Sequence, residues 1–172
     1  MIKQGMDIVD VGGESTRPGY TMVSEQEEID RVVPVIEKIK SQFDIPVSLD
    51  TYKSEVARAG IAAGADMIND IWGLKYDEKI ADVIAQAQIP CCLTHNRKEA
   101  VYKNLIEEIL WDLESSLDIA HKAGIADDRI IIDPGVGFGK SYENNLEIID
   151  RIQNFHSLGY PLLLGASRKS VV

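Results

Sequence analysis

Polar side chains or tight glycine turns directly follow six short apolar segments of the sequence. They are Asp10 with the Gly12, Gly13, Glu14 turn, Asp50 with Thr51, Asn69 with Asp70, His95 with Asn96, Asp133 before Pro134 and Gly135, and Ser167 before Arg168 and Lys169. If the segments are parallel strands, these side chains meet at one edge of a sheet, where α/β proteins build their sites. Each could instead cap a helix or bond to loop amides. Several carboxylates at one edge repel each other and lose hydration, so the whole group predicts a ligand rich in hydrogen-bond donors.

A planar heterocycle with an amino group and ring N–H groups is a ligand of this kind, because one carboxylate can accept two parallel bonds from its edge. Asp50 and Asp133 are the natural acceptors. Asn69 offers both a donor and an acceptor, and Lys169 could donate to a ring carbonyl or nitrogen. The segment 135–140, GVGFGK, resembles a dinucleotide fingerprint only superficially, because its third glycine comes one residue too early. A nicotinamide site therefore rests on fold-level analogy alone.

The sequence predicts no covalent nucleophile. Ser15 and Ser167 have no His and Asp partners at a recognisable spacing. Cys91 and Cys92 are adjacent in an apolar run, which indicates reduced, buried strand residues. His95 is interpreted as a hydrogen-bonded pocket wall in preference to a base.

Short apolar runs alternate with helical patterns along the chain. The runs are typical of strands buried on both faces and cover residues 8–9, 47–49, 67–68, 91–93, 130–132 and 162–164. The first helical pattern begins with Ser24 and Glu27 at capping-box spacing, and Pro34 inside it predicts a kink or a break. A later helix is predicted to start at a cap formed by Asp77. The last helical pattern is predicted to bury a stripe of Leu146, Ile149 and Ile152.

This alternation without hairpin signals indicates a parallel sheet with right-handed crossovers. An open doubly wound sheet and a closed barrel both fit the order of elements, and periodicity alone slightly favours the open sheet. A (β/α)8 barrel uses about 31 residues for each β/α unit, so 172 residues supply about five and a half units. The length alone therefore leaves a barrel incomplete.

The overall charge excludes some classes of partner. The 18 Lys and Arg residues against 28 Asp and Glu residues give a net charge of -10, which disfavours binding of nucleic acid or anionic lipid through bulk electrostatics. No apolar run approaches the roughly 20 residues of a membrane-spanning helix, and the N-terminus does not resemble a secretory signal. The expectation is a cytoplasmic chain that forms one domain over residues 1–172.

Five segments together resemble the successive strand-end motifs of the dihydropteroate synthase family, in the order found in that family. They are DVGGESTRPG (10–19), SLDT (48–51), INDI (68–71), DPGVGFGK (133–140) and GASRKS (165–170). The resemblance, and not the periodicity, implies an α/β fold of the (β/α)8 TIM-barrel type, incomplete, with about strands two to seven present. It implies an enzyme of folate biosynthesis that joins a dihydropterin diphosphate to p-aminobenzoate and is a sulfonamide target.

The resemblance also implies roles for individual residues. Asp50, Asn69, Asp133 and Lys169 would line the pterin pocket. A second group would serve the other substrate groups: Thr16 and Arg17 at the diphosphate, and Phe138 and Ser170 at p-aminobenzoate. The expected cofactor is Mg2+, held mainly by a segment before Met1 and by the substrate diphosphate, so no metal ligand is expected in this chain. A homodimer is possible.

Thr94 departs from the family pattern, which has methionine against the pterin, and a smaller polar wall is expected to loosen that contact. The family's first strand would precede Met1 and its eighth would follow Val172, so the chain is expected to be a fragment with weak stability and little synthase activity. Two alternatives stay open. One is a pterin-binding barrel of the methyltetrahydrofolate:corrinoid methyltransferase type, and the other is a pterin-binding remnant without turnover.

Overall fold

The protein is described here by a computed structural model that covers residues 5–15 and 21–166. Five strands form one parallel sheet, in which each strand pairs with the next along the chain. The strands are β1 (Val9–Gly12), β2 (Val47–Asp50), β3 (Met67–Asp70), β4 (Cys91–Thr94) and β5 (Ile130–Asp133). The sixth predicted run forms only an isolated parallel bridge, between Leu162 and Ile132. Five of the six predicted runs therefore become full strands.

Helices connect consecutive strands and continue beyond β5. They are α1 (Glu25–Gln42), α2 (Ser54–Ala62), α3 (Ile80–Ala87), α4 (Leu105–Ala123) and α5 (Tyr142–Asp150), with 3-10 helices at Asp127–Arg129 and Ile152–Leu158. Among the described residues, no helix is both long and apolar enough to cross a membrane.

The sequential strand order distinguishes between the two architectures that the sequence allows. A doubly wound sheet reverses its strand order at a switch point, whereas the strands of a (β/α)8 barrel follow chain order. Right-handed crossovers in a constant direction place every helix on the same side of the sheet. The buried residues agree, because Leu49, Ile68 and Leu93 of the strands share one apolar core with the helices. The fold is that of an incomplete (β/α)8 barrel, as expected.

Helix α1 starts as predicted but tolerates its proline. Ser24 caps it, and the Ser24 hydroxyl accepts a hydrogen bond from the Glu27 amide at 3.2 Å. The Glu27 carboxylate pairs with Arg31. The helix continues through Pro34 without a break, because Pro34 and Asp30, whose carbonyl would lose its partner, both lie on the exposed side.

Asp77 has a wider role than the predicted cap of α3. The N-cap position of α3 is Lys79. Asp77 lies two residues earlier, and its Oδ1 accepts from the Lys79 amide at 2.9 Å. Its Oδ2 accepts from the amide of Ser54, the first residue of α2, at 2.7 Å. One carboxylate thus serves the beginnings of two neighbouring helices.

The predicted apolar stripe of the last helix is correct at Ile149 and Ile152, which pack against the core, and wrong at Leu146. Leu146 is 44% exposed, whereas Ile148 is fully buried. α5 ends at Asp150, and the chain continues as the 3-10 helix Ile152–Leu158. The error at Leu146 therefore lies within α5, where Ile148 takes the buried position.

The contact between α2 and β2 depends on Gly60. A Cβ added at Gly60 would lie 2.2 Å from Leu49 Cδ2. We predict that Gly60→Ala lowers the free energy of unfolding by about 1–3 kcal/mol through overpacking, although alanine favours helices. Chemical denaturation measures the change. In the double variant with Leu49→Val, which lacks the clashing methyl group, the two losses should be less than additive, and additive losses would contradict the packing argument.

Candidate functional site

The two faces of the sheet differ in chemistry. Alternate strand residues, such as Val11, Leu49 and Ile132, pack against the helices. The residues between them point to the other face, because successive side chains of a strand alternate. That face carries Asp10, Gly12, Ser48, Asp50, Met67, Asn69, Cys92, Thr94, Ile131 and Asp133. It is the inner face of the incomplete barrel, and its polar residues concentrate towards the carboxyl ends of the strands.

Three of the four predicted pterin residues share this inner face. Asp50 and Asn69 are register partners on adjacent strands. Asn69 pairs in register with Cys92 of β4, and Cys92 pairs with Ile131 of β5. Asp133 is two residues after Ile131 and therefore lies on the same face. The fourth residue, Lys169, lies outside the described residues, as do Thr16, Arg17 and Ser170.

Asp50 and Asn69 each have a buried oxygen atom that accepts no hydrogen bond from the described residues. Asn69 Nδ2 donates to Asp10 Oδ2 at 3.3 Å. Within residues 5–15 and 21–166, however, Asp50 Oδ1 and Asn69 Oδ1 are buried without a hydrogen-bond partner. Buried acceptors are normally paired, so these two neighbouring atoms indicate a place for a ligand's N–H groups.

The electrostatics of Asp50 agree with this interpretation. Burial raises the pKa of the Asp50 carboxyl to about 8, and the negative charge of Asp10 adds to the effect. Carboxylates at this edge therefore destabilise each other until a donor-rich or cationic group is present.

Asp133 is the last residue of β5, and Phe138 lies in the loop that follows. Asp133 is buried, and its Oδ1 accepts from the Gly135 amide at 2.7 Å. This bond is the local role that a strand-end aspartate can have without any ligand. Phe138, the residue predicted at p-aminobenzoate, is half-buried three residues further along this loop.

A buried ion cluster that the sequence reasoning missed lies behind the site. Lys53 Nζ is 2.9 Å from Glu14 Oε2 and 2.7 Å from Glu28 Oε2. Burial alone would raise the pKa of Glu14, but hydrogen bonds from Tyr52 and Lys53 outweigh it and lower that pKa. Glu28 precedes buried Val32 and Ile36 at four-residue spacing, so a charged residue on an apolar helical stripe was the available signal.

His95 is buried and hydrogen-bonded on both ring nitrogens. Nε2 lies 3.0 Å from Asp112 Oδ2, and Nδ1 lies 2.9 Å from Lys140 Nζ. Burial lowers the pKa of His95 to about 4. This geometry favours the wall over the base. Asp112 and Lys140 were not identified from the sequence, since neither lies near His95 along the chain.

The two adjacent cysteines are poor candidates for a nucleophile. Cys91 and Cys92 are unpaired and buried as predicted, and burial raises the pKa of the Cys91 thiol to about 12. A thiol with this pKa is a poor nucleophile at neutral pH. In the described part of the chain, no group of three or more His, Cys, Asp or Glu residues is placed to hold a metal ion.

Comparison with known proteins gives a consistent result. The family model described as "Pterin binding enzyme" matches residues 1–172. The dihydropteroate synthase of Clostridium beijerinckii is 59% identical over 172 residues, which are 100% of this chain and 64% of that relative. The chain therefore spans about two thirds of the length of this curated relative.

Solved structures of dihydropteroate synthases superpose closely on the chain. The enzyme from Clostridium difficile, solved in the presence of pteroic acid, has a TM-score of 0.97 at 46% identity. The superposition covers 99% of this chain and 65% of the Clostridium difficile chain. The enzyme from Xanthomonas albilineans with 4-aminobenzoic acid has a TM-score of 0.95 at 42% identity, with 99% and 62% covered.

The first prediction from the site concerns the ion cluster. We expect Lys53→Met to lower the free energy of unfolding by about 3–5 kcal/mol, because it leaves the carboxylates of Glu14 and Glu28 buried without a cation. Denaturant unfolding at pH 7 measures the loss. The matched control is Lys40→Met, which removes a partly exposed pair with Asp66 and should have a small effect. Equal losses for the two variants would show that the buried cluster contributes no more to the free energy of unfolding than the exposed pair does.

The second prediction concerns pH. Between the ordinary aspartate pKa near 4 and the folded value of about 8, folded Asp50 holds a proton that the unfolded chain has released. Its contribution to stability therefore falls as pH rises through this window. We expect Asp50→Asn to stabilise the free chain at pH 7 by about 1 kcal/mol or more, and by less at pH 4.5.

Thermal unfolding at several pH values checks this prediction, with exposed Asp44→Asn as the control. A stability difference between Asp50→Asn and wild type that does not grow with pH would contradict the raised pKa.

Proposed function

Because this chain belongs to the pterin binding enzyme family, we propose that it carries the pterin pocket of a dihydropteroate synthase. The proposed reaction condenses 6-hydroxymethyl-7,8-dihydropterin diphosphate with p-aminobenzoate and releases diphosphate. The observation that carries the proposal is a pair of buried acceptors, Asp50 Oδ1 and Asn69 Oδ1, on adjacent strands of the inner face, to which no described residue donates.

The pterin's amino-pyrimidine edge matches these acceptors. Its amino and ring N–H groups would donate to Asp50 and Asn69, with Asp133 and Lys169 at the same ring system. Such bonds would satisfy both acceptor atoms and reduce the cost of the buried carboxyl. Positive charge that develops on the ring would meet carboxylates whose mutual repulsion it relieves.

The bond changes of the proposed reaction need no enzyme nucleophile. The amine nitrogen of p-aminobenzoate forms a bond to the pterin methylene carbon while the bond from that carbon to the diphosphate oxygen breaks. The amine then releases a proton, and diphosphate leaves. The chain's share would be to hold the ring through Asp50, Asn69 and Asp133 and to stack Phe138 against the aromatic amine. Thr16 and Arg17 would serve the diphosphate, and Ser170 the carboxylate.

The metal ion, the location, the oligomeric state and the inhibitors proposed for this chain are those implied by the family resemblance. Mg2+ would neutralise charge on the diphosphate. A cytoplasmic setting, a homodimer and competition by sulfonamides at the p-aminobenzoate position complete the proposal. The dihydropteroate synthases among the relatives and structures support this function over the corrinoid methyltransferase alternative. A pterin-binding remnant without turnover is the second candidate, and the titration below separates the two.

Ligand titration tests the proposal. We expect a pterin to bind the wild-type chain, and Asp50→Asn to weaken that binding by about 10-fold or more because a charge-assisted bond is lost. The control Asp44→Asn should bind as wild type. Calorimetry, with the pterin titrated first and p-aminobenzoate second, with and without diphosphate, provides the measurement.

The outcomes separate the candidate functions. Binding of p-aminobenzoate that depends on diphosphate supports the synthase, whereas binding of the pterin alone supports a remnant. Absence of pterin binding overturns both. Turnover with both substrates and Mg2+ at micromolar protein adds a direct readout: formation of dihydropteroate supports the synthase, and pterin binding without turnover supports the remnant.

A further inference from the structure

The loop that carries Phe138 is fixed from the α5 side by Asn145. The Phe138 amide donates to the Gly135 carbonyl at 3.0 Å and closes a turn. The Gly137 amide donates to Asn145 Oδ1 at 2.7 Å, and Asn145 Nδ2 donates to the Ser141 carbonyl at 2.7 Å. Asn145 is 1% exposed, so this amide side chain is committed to the loop.

The loop is fixed from the β4 side by Lys140. Its Nζ donates to the Phe138 carbonyl at 2.9 Å and to His95 Nδ1 at 2.9 Å. It also lies 3.4 Å from the His95 carbonyl. One ammonium group therefore joins the backbone of Phe138 to the residue that follows β4.

Glycines allow the two loops to approach this closely. A Cβ at Gly135 would lie 1.9 Å from the His95 carbonyl oxygen, and one at Gly139 would lie 2.0 Å from the Arg97 carbonyl oxygen. Both glycines also have positive φ, of 73° and 56° respectively. Backbone contact and side-chain bonds thus act at the same place.

The protonation state of His95 follows from its neighbours. An ammonium group can only donate, so Nδ1 of His95 must accept, and the proton of the neutral ring is on Nε2, facing Asp112. Burial lowers the pKa of His95 to about 4, which keeps the ring neutral at pH 7. Arg97 fixes Asp112 in turn, through an Nε to Oδ2 hydrogen bond of 2.8 Å. The hydrogen bonds from Arg97 through Asp112 and His95 to Lys140 therefore form one network, in which every donor faces an acceptor.

We infer that Lys140 is a positioning residue, which holds the Phe138 loop against the neutral ring of His95 and so sets the place of the aromatic amine. The inference rests on the proposed function, because p-aminobenzoate is the ligand assigned to Phe138. Lys140 acts on the backbone carbonyl of Phe138, a residue that is itself half-buried. Among the described residues, Asp50 and Asn69 have no hydrogen bond to this network. Asp133 accepts from the Gly135 amide, a bond that does not involve the Lys140 ammonium group, so loss of that group should spare pterin binding.

The test compares Lys140→Met with the exposed control Lys38→Met. Methionine keeps the length of the side chain but removes the ammonium group and its bonds to Phe138 and His95. We expect p-aminobenzoate, titrated with pterin and diphosphate present, to bind Lys140→Met about 10-fold more weakly, with unchanged pterin affinity. Lys140→Arg, which retains donors, should recover part of the loss. A merely structural role would weaken both ligands together or neither.

Hydrogen exchange provides a readout that does not depend on ligands. Peptides that cover residues 135–140 should exchange faster in Lys140→Met than in wild type, while those of α2 stay unchanged. Unchanged exchange in this loop, or unchanged amine affinity despite faster exchange, overturns the inference. A wild-type chain that binds no pterin overturns the proposed function and the role in amine binding with it, whereas the exchange result still decides whether Lys140 fixes the loop.

Discussion

Sequential parallel pairing of the strands is the constraint on which the rest of the structure depends. Because each strand pairs with the next one along the chain, every crossover places its helix on the same side. The strand residues on that side are apolar and share one core with the helices. The residues between them face away from the helices. Polar side chains on that face are therefore not mistakes in the hydrophobic pattern, and their position at the strand ends follows from the β/α order alone.

In the part of the chain that the structure describes, two cations are bonded to carboxylates outside the inner face. Lys53, which begins the turn into α2, is committed to Glu14 and Glu28, and the positive charge of Arg97 is committed to Asp112 and Glu108. Asp50 is thus left with like charges as its main electrostatic neighbours. A protein that maximised its stability would not keep such an arrangement, whereas a binding site for a donor-rich ring gains from it.

The sequence predicted the features that are local or periodic. Strand positions, the Ser24 cap, the buried cysteines and the common face of Asp50, Asn69 and Asp133 follow from patterns within a few residues. The barrel order was decided by the family resemblance, because periodicity alone favoured an open sheet. The Lys53 cluster and the His95, Asp112 and Lys140 network were missed, since their bonded partners are 17 to 45 residues apart and meet only after folding. The error at Leu146 has a different origin: within α5 the helical stripe was placed on Leu146, whereas Ile148 is the buried residue.

The double role of Asp77 ties two helices to one another. Its two carboxylate oxygens accept from the first residue of α2 and from the residue before α3, so neither helix start is satisfied independently of the other. Partial opening of either helix beginning strains the bonds of its neighbour through a single side chain. The segment from β2 to α3 should consequently unfold as one cooperative unit. Its two β/α repeats are then not independent, because the same carboxylate stabilises the beginnings of both helices.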